Sequence, residues 1–242
     1  MLQNITVLDL SRILAGPYCT QLLADLGATV WKLEPPQGDD TRRWGPPFEK
    51  GESAYYLSVN RGKKSIAVNL KTKEGQEIAR DLAKHADVLV ENFKVGDLGR
   101  YGLDYSTLSK TNEKLIYCSI TGFGQSGERS DEPGYDAALQ AMSGLMSITG
   151  EETGAPVKVG VAVVDVLTGL HAAVAILAAL HERHLTNKGK RLDVALFDVA
   201  LASLVNQAQV TLMTGENPKR LGSAHPQIVP YQAFETSDGH FM

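Results

Sequence analysis

The sequence predicts an α/β fold, an open parallel sheet with helices on both faces. Three observations predict it. Compact apolar runs alternate with segments of helical periodicity along most of the chain. The first elements read strand, helix, strand, which is the start of a parallel sheet. The chain carries no internal repeat and no low-complexity tract.

ITVLDL (5–10) is a buried strand, and SRILAGPYCTQLLADLGA follows with apolar residues at helical spacing and Gly27 as its stop. TVWKLE (29–34) is the second strand and KSIAVNL (64–70) the third. A helix is expected from Thr72, its cap, to Ala86. DVLVENF (87–93) and KLIYCSITGFG (114–124) are the fourth and fifth strands. GYDAALQAMSGLMSITG (134–150) reads as one helix ending before the Gly150 loop, and KRLDVALFDVALASLVNQ (190–207) as a short strand running into a helix. YQAFETSDGHFM ends the sequence with a strand-like run, a Ser-Asp-Gly turn and the start of another strand at His240. A lone strand is only marginally stable, so the chain is expected to be a piece of a longer protein.

The 242 residues are 43% hydrophobic, enough for one large core or two modest domains. A net charge of -4 argues against a nucleic-acid partner, which calls for a basic face. Cys19 and Cys118 form neither a disulfide framework nor a metal-ligand spacing, and the histidines show no such spacing, so no metal and a reducing compartment are expected. The N-terminal residues read as strand, with no signal or transit segment, which predicts a cytoplasmic protein; a mature eukaryotic chain would equally suit the mitochondrial matrix.

One residue stands out. Asp165 is the single acidic residue in the apolar run KVGVAVVDVLTGLHAAVAILAAL, Lys158 to Leu180. A carboxylate in apolar surroundings is costly unless it is paired or hydrogen-bonded. Three readings compete. Asp165 could cap the buried helix that ends near HERHLTNKGK. The segment could span a membrane, but an Asp near its centre costs about 2.5–3.5 kcal/mol, and Gly160, Thr168 and Gly169 dilute its hydropathy. Or Asp165 is a catalytic carboxylate kept anionic by a helix N-terminus. Cap and catalyst can be the same residue.

The loops at strand ends, SRILAGP, EPPQGDDTRRWGPPF, ENFKVGD and TGFGQSG, are where an open α/β sheet binds ligands. They supply Arg12, Arg42, Arg43, Asn92, Lys94 and several glycines, a set suited to a phosphate-bearing ligand, although most such glycines only punctuate turns. A nicotinamide enzyme would place an acid where Glu34 ends strand two, but the first turn is SRILAGP rather than G-x-G-x-x-G. A serine hydrolase fails for want of a G-x-S-x-G elbow.

LDLSRILAGPYCTQLLADLGATVWKLEPPQGDDTR, NRGKKSIAVNLK, DVLVENFKVGDLGRYGLD, CSITGFGQSG, GYDAALQAMSGLMSITG and KVGVAVVDVLTGLHAAVAILAALHERHLTNKGKRLDVALFD occur in this order over nearly the whole chain. Together they resemble the class III CoA-transferases, the family of formyl-CoA transferase, carnitine CoA-transferase and alpha-methylacyl-CoA racemase. DDTRRWGPPF, ESAYYLSVNRGKKSIAVNLK, IYCSITGFGQSG and SAHPQIVPYQAFETSDG look closest to the succinyl-CoA:dicarboxylate branch, which includes the succinate–hydroxymethylglutarate type acting on glutarate.

The resemblance implies a Rossmann-like large domain, expected over 1–200, a connecting helix and linker over 201–227, and the start of a truncated second domain at 228–242. It implies that Asp165 is the nucleophile of a covalent relay through an aspartyl-CoA thioester. It assigns coenzyme A contacts to Leu14, Ala15, Asn69, Leu70, Lys71, Asn92, Phe93, Lys94, Arg100, Thr121, Gly122, Phe123 and Gly124. Acyl-CoA is then a substrate, and no tightly bound cofactor is expected. Leu14 and Arg12 replace a glutamine and a histidine of formyl-CoA transferase, which argues against formyl or oxalyl substrates. Arg12, Arg42 and Arg43 are candidate partners for the distal carboxylate of a dicarboxylic acid. The resemblance implies an interlocked homodimer, with no membrane and no nucleic acid. Two other readings stay open: a truncated, catalytically silent CoA-binding or dimerisation module, and an acyl-CoA racemase.

Overall fold

The computed structural model describes residues 1–242. The chain divides into two compact units, Met1–Gly134 with Asp165–Val199, and Tyr135–Val164 with Ala200–Met242. Residues 135–164, within the span 1–200 expected for the large domain, fall in the second unit.

In the first unit the order is β1 (Thr6–Asp9), α1 (Ala15–Asp25), β2 (Thr29–Glu34), a 3-10 turn (Asp40–Arg43), a small hairpin of β3 (Phe48–Glu49) and β4 (Glu52–Ser53), α2 (Ala54–Asn60), β5 (Lys63–Ala67), α3 (Lys73–Lys84), β6 (Val88–Glu91), a second 3-10 turn (Asp97–Tyr101), α4 (Tyr105–Leu108) and β7 (Ile116–Thr121). After α5 (Asp136–Met142) and α6 (Leu145–Ile148) of the second unit come α7 (Val163–Thr186), β8 (Lys190–Ala195), α8 (Leu196–Ala202) and α9 (Val205–Thr214). The main sheet is six-stranded and parallel, in the order β5-β2-β1-β6-β7-β8. That is the third-second-first-fourth-fifth-sixth order of a doubly wound sheet, so the strand order reverses between β1 and β6.

The two faces follow from strand alternation. Leu8, Leu10, Leu33, Leu89 and Tyr117 point to the face covered by α3, where they pack with Ala79, Ala83, Leu98, Leu103 and Leu108. Val7, Asp9, Lys32, Glu34 and Lys63 occupy the other face, where Thr20 of α1 donates to Asp9 (2.6 Å) and Tyr56 of α2 to Glu34 (2.9 Å). Thr72 caps α3 as expected, its Oγ1 accepting from the Gly75 N–H at 3.1 Å.

Several boundaries differ from the sequence reading. α7 starts at Val163, so Asp165 lies within its first turn and is not its cap. In the second unit the single helix expected at 134–150 is two, α5 and α6, because Gly144 takes a left-handed φ of 92° between them. The chain end forms one bridge, Glu235 to Phe241, around the Thr236–Gly239 turn. α7 is long and apolar enough to cross a membrane by length and composition, yet Thr168, Ala172, Ala173, Ile176 and Ala179 are buried along it, as in the core helix of a sheet protein.

Candidate functional site

The site is built at the reversal of strand order, from the loop Ser11–Leu14 after β1 and the loop beginning at Asn92 after β6. The Asn92 amide ties them together. Its Oδ1 accepts from the Arg12 N–H (2.9 Å) and its Nδ2 donates to the Arg12 carbonyl (2.8 Å). Two further side chains hold the same loop: Lys32 Nζ donates to the Ser11 carbonyl at 2.9 Å, and Asp39 Oδ2 accepts from the Ile13 N–H at 3.3 Å. Ile13 itself has φ 69°, in the left-handed region that a β-branched residue rarely occupies.

Beneath the loop lies a buried charge network on the α1 face. Asp9 Oδ2 pairs with Lys63 Nζ at 3.1 Å, and Lys63 also donates to the Pro17 carbonyl and Asn60 Oδ1. Lys32 pairs with Asp39 at 3.1 Å, both side chains 1% exposed. Burial would raise the Asp9 carboxyl, but the Lys63 and Lys32 ammonium groups and the Ser11 and Thr20 hydroxyls bring it down to about 2. Burial pushes the Lys63 ammonium down to about 8 against the pull of Asp9. Such pairs are costly to break, because one partner is left as an unpaired buried charge.

The three arginines do not act together. Arg42 grips Glu34 with a two-pronged contact, Nε to Oε2 and Nη2 to Oε1, both 2.8 Å. It also meets Glu52 and the Tyr56 hydroxyl, and its guanidinium stacks 3.8 Å above the Tyr56 ring. Burial would raise Glu34; the Arg42 fork, the Asp39 N–H and the Ser65 and Tyr56 hydroxyls instead lower it to about 2. Arg42, one of the three arginines expected to meet substrate, thus spends its guanidinium on Glu34, Glu52 and Tyr56. The same bonds occupy Glu34, which leaves no ribose-binding acid at the end of β2. Arg12 and Arg43 are exposed and converge on one carboxylate, Asp40, at 3.6 and 3.1 Å.

α7, which carries Asp165, meets α1 by backbone contact. A Cβ added at Gly169 would lie 2.7 Å from the Ala15 carbonyl oxygen and 3.3 Å from the Cys19 N–H nitrogen, so α7 rests directly on the start of α1. Asp165 precedes Gly169 by four residues, about 6 Å along the axis and on the same side of the helix. Asp165 thus lies in the first turn of α7, on the side of the helix that meets α1 at Gly169. A carboxylate in the first turn of a helix is also favoured as the anion.

The other predicted contacts lie along the same rim. Asn69, Leu70 and Lys71 follow β5; Asn69 Oδ1 accepts from the Lys71 N–H, and Leu70 packs on the core. Thr121 ends β7 and Gly122, Phe123 and Gly124 follow it; Thr121 Oγ1 accepts from the Gly124 N–H at 3.0 Å and Phe123 meets Phe197 at 5.6 Å. These two groups stand two strands from β1 on opposite sides, about 10 Å each way at a strand spacing of about 4.8 Å, so the rim suits an elongated ligand. Phe93 donates its N–H to buried Glu91 (2.8 Å), Lys94 is exposed, and Arg100 is exposed and paired with Asp97. Lys94, Glu91, Tyr105, Tyr117, Ser119 and Arg191 line a hollow of about 290 Å³. No group of three or more His, Cys, Asp or Glu residues converges to hold a metal ion.

Sequence reasoning passed over Asp9, Lys32, Lys63 and Glu91. For Asp9, Lys32 and Glu91 the signal was present, a charged residue in an apolar strand run, the feature that singled out Asp165; Lys63 follows Arg61 and Gly62 and carried no such signal. Glu91 shows its consequence, since burial raises its carboxyl above the ordinary range.

Residues 2–242 match the CoA-transferase family III. The chain is 52% identical over its whole length to the succinate–glutarate CoA-transferase of Agrobacterium fabrum, and 51% identical to the succinyl-CoA:glutarate CoA-transferase of Homo sapiens. It spans 62% and 55% of those relatives' lengths. The crystal structure of a CAIB/BAIF family protein from Brucella suis superposes with a TM-score of 0.93 at 51% identity, over 98% of this chain and 64% of that one. These similarities establish that the chain belongs to CoA-transferase family III.

Proposed function

We propose that this protein moves coenzyme A from succinyl-CoA to a dicarboxylic acid, glutarate first, through a thioester on Asp165. The observation that supports this reading is the seating of α7 on the start of α1 at Gly169, one helical turn after Asp165. The names of the relatives at 51–52% identity support the choice of substrates.

The relay balances without ATP. The Asp165 carboxylate attacks the succinyl thioester carbonyl; the C–S bond breaks, giving a succinyl-aspartyl anhydride and CoA thiolate. The thiolate attacks the aspartyl carbonyl, succinate leaves and an aspartyl-CoA thioester remains. Glutarate attacks that carbonyl and expels the thiolate. The thiolate then attacks the glutaryl carbonyl, releasing glutaryl-CoA and the free Asp165 carboxylate. Coenzyme A is a substrate throughout and no resident cofactor is required. The distal carboxylate of the acid is met by Arg12 and Arg43, which already share one carboxylate, Asp40.

Leu170 and Val174 form an exposed apolar stripe on α7, and Val205, Leu212 and Met213 are exposed on α9. Such surfaces support the interlocked homodimer as the working assembly. The buried free thiols of Cys19 and Cys118 fit a reducing compartment, cytoplasm or matrix.

Incubation with succinyl-CoA and glutarate, followed by chromatography of the CoA esters, tests the reading. Glutaryl-CoA formed by the protein and absent with Asp165→Asn is the expected result. An ester formed equally by both proteins, or by neither, contradicts it.

A further inference from the structure

The loop Ser11–Leu14 is held by more side-chain bonds than a surface turn needs. Arg12 is bound at both its N–H and its carbonyl by one amide, Asn92. The next residue, Ile13, sits at φ 69° with its N–H on Asp39. The residue after that, Leu14, starts the predicted ligand-contacting segment. A β-branched side chain disfavours left-handed backbone, so a free loop would leave this conformation for negative φ. The conformation persists because its neighbours over-determine it. Asn92 stands on the other side of the strand-order reversal, 80 residues away in sequence, and its two hydrogen bonds are spent on the backbone of Arg12.

We propose that Asn92 and Asp39 are positioning residues: together they clamp the backbone of Arg12 and Ile13 and hold the strained loop in the form that receives coenzyme A at Leu14–Ala15. Asn92 then acts through Arg12 and not by its own amide touching the ligand. The inference rests on the CoA-transferase reading for what the loop receives. When the clamp opens, the competent loop becomes a minor population, and apparent affinity falls in proportion to that population.

The test is calorimetric titration of free coenzyme A into the wild-type protein, Asn92→Ala and the double variant Asn92→Ala/Ile13→Gly, with thermal unfolding of each. Glycine takes positive φ readily, so it removes the need for the clamp. The expected result is a loss of affinity of about tenfold, equivalent to about 1.4 kcal/mol, in folded Asn92→Ala, most of it regained in the double variant. Asn92→Asp serves if the alanine variant does not fold: it keeps the acceptor for the Arg12 N–H but faces the Arg12 carbonyl with a second acceptor, and should show a smaller loss that glycine at 13 again reverses. Wild-type affinity in a folded clamp variant overturns the proposal. A loss that glycine does not reverse also overturns it, because Asn92 would then be touching the ligand itself. A wild-type protein that binds no coenzyme A overturns the underlying reading instead, before any variant is compared.

Discussion

Arg12, Arg42 and Arg43 lie within reach of one loop, yet their surroundings give them different work. Arg42 is bonded to Glu34, Glu52 and Tyr56, so Arg42→Gln leaves the Glu34 carboxylate, 3% exposed, without its cation. Breaking such a pair costs about 3 kcal/mol. The predicted outcome is a lower urea midpoint at neutral pH, with an unchanged midpoint contradicting the assignment. Arg12 and Arg43 are exposed, and surface pairs like theirs with Asp40 contribute about 0–1 kcal/mol. Arg12→Ala should leave the thermal midpoint nearly unchanged while raising KM for glutarate about tenfold, the loss of one charge-assisted contact; steady-state kinetics with glutarate varied reads this directly. The sequence shows three arginines in two loops, but not which of them a buried glutamate claims. That depends on Glu34 facing inward from β2 at the spot where the turn Asp40–Arg43 folds back.

At the scale of the element, α7 is the piece on which the site depends, and Gly169 is its contact with α1. An added methyl would meet the Ala15 carbonyl at 2.7 Å, a backbone atom with no rotamer to yield. Alanine is the better helix former by about 1 kcal/mol, but overpacking costs about 1–3 kcal/mol. Gly169→Ala is therefore predicted to be neutral to destabilising in chemical unfolding, and to weaken coenzyme A binding by pushing α7 from Leu14–Ala15; a stabilised variant with full binding would contradict the contact. Most elements were legible because apolar periodicity is a local signal: β1, β2 and the Thr72-capped α3 fall within a few residues of their expected bounds. The misses are at caps and breaks. The start of α7 at Val163 removes the cap reading of Asp165, and the backbone conformation of Gly144 splits a helix whose apolar pattern runs on unbroken.

For the whole molecule, a parallel α/β sheet with helices on both faces was expected from alternation, whereas the strand order, and with it the pairing of the buried charges, was not. Asp9 and Lys63 meet only because β5 packs on β2 and β2 on β1. These pairs set the response to acid. Glu34 is lowered from 4.5, and Asp9 from 3.8, to about 2. A depressed carboxyl contributes stability that is complete above its unfolded value and is lost as pH falls through its folded value. The urea midpoint should thus fall as pH drops from about 4.5 to 2, more shallowly in Arg42→Gln; a midpoint independent of pH in that window would contradict the network. The central claim is the covalent role of Asp165, and one measurement tests it most directly: mass spectrometry of the protein after brief incubation with succinyl-CoA, with peptide mapping of any adduct. The account predicts coenzyme A attached to the peptide carrying Asp165, discharged as glutaryl-CoA when glutarate is added. A protein that forms glutaryl-CoA without that adduct, or with the adduct on another residue, would contradict it.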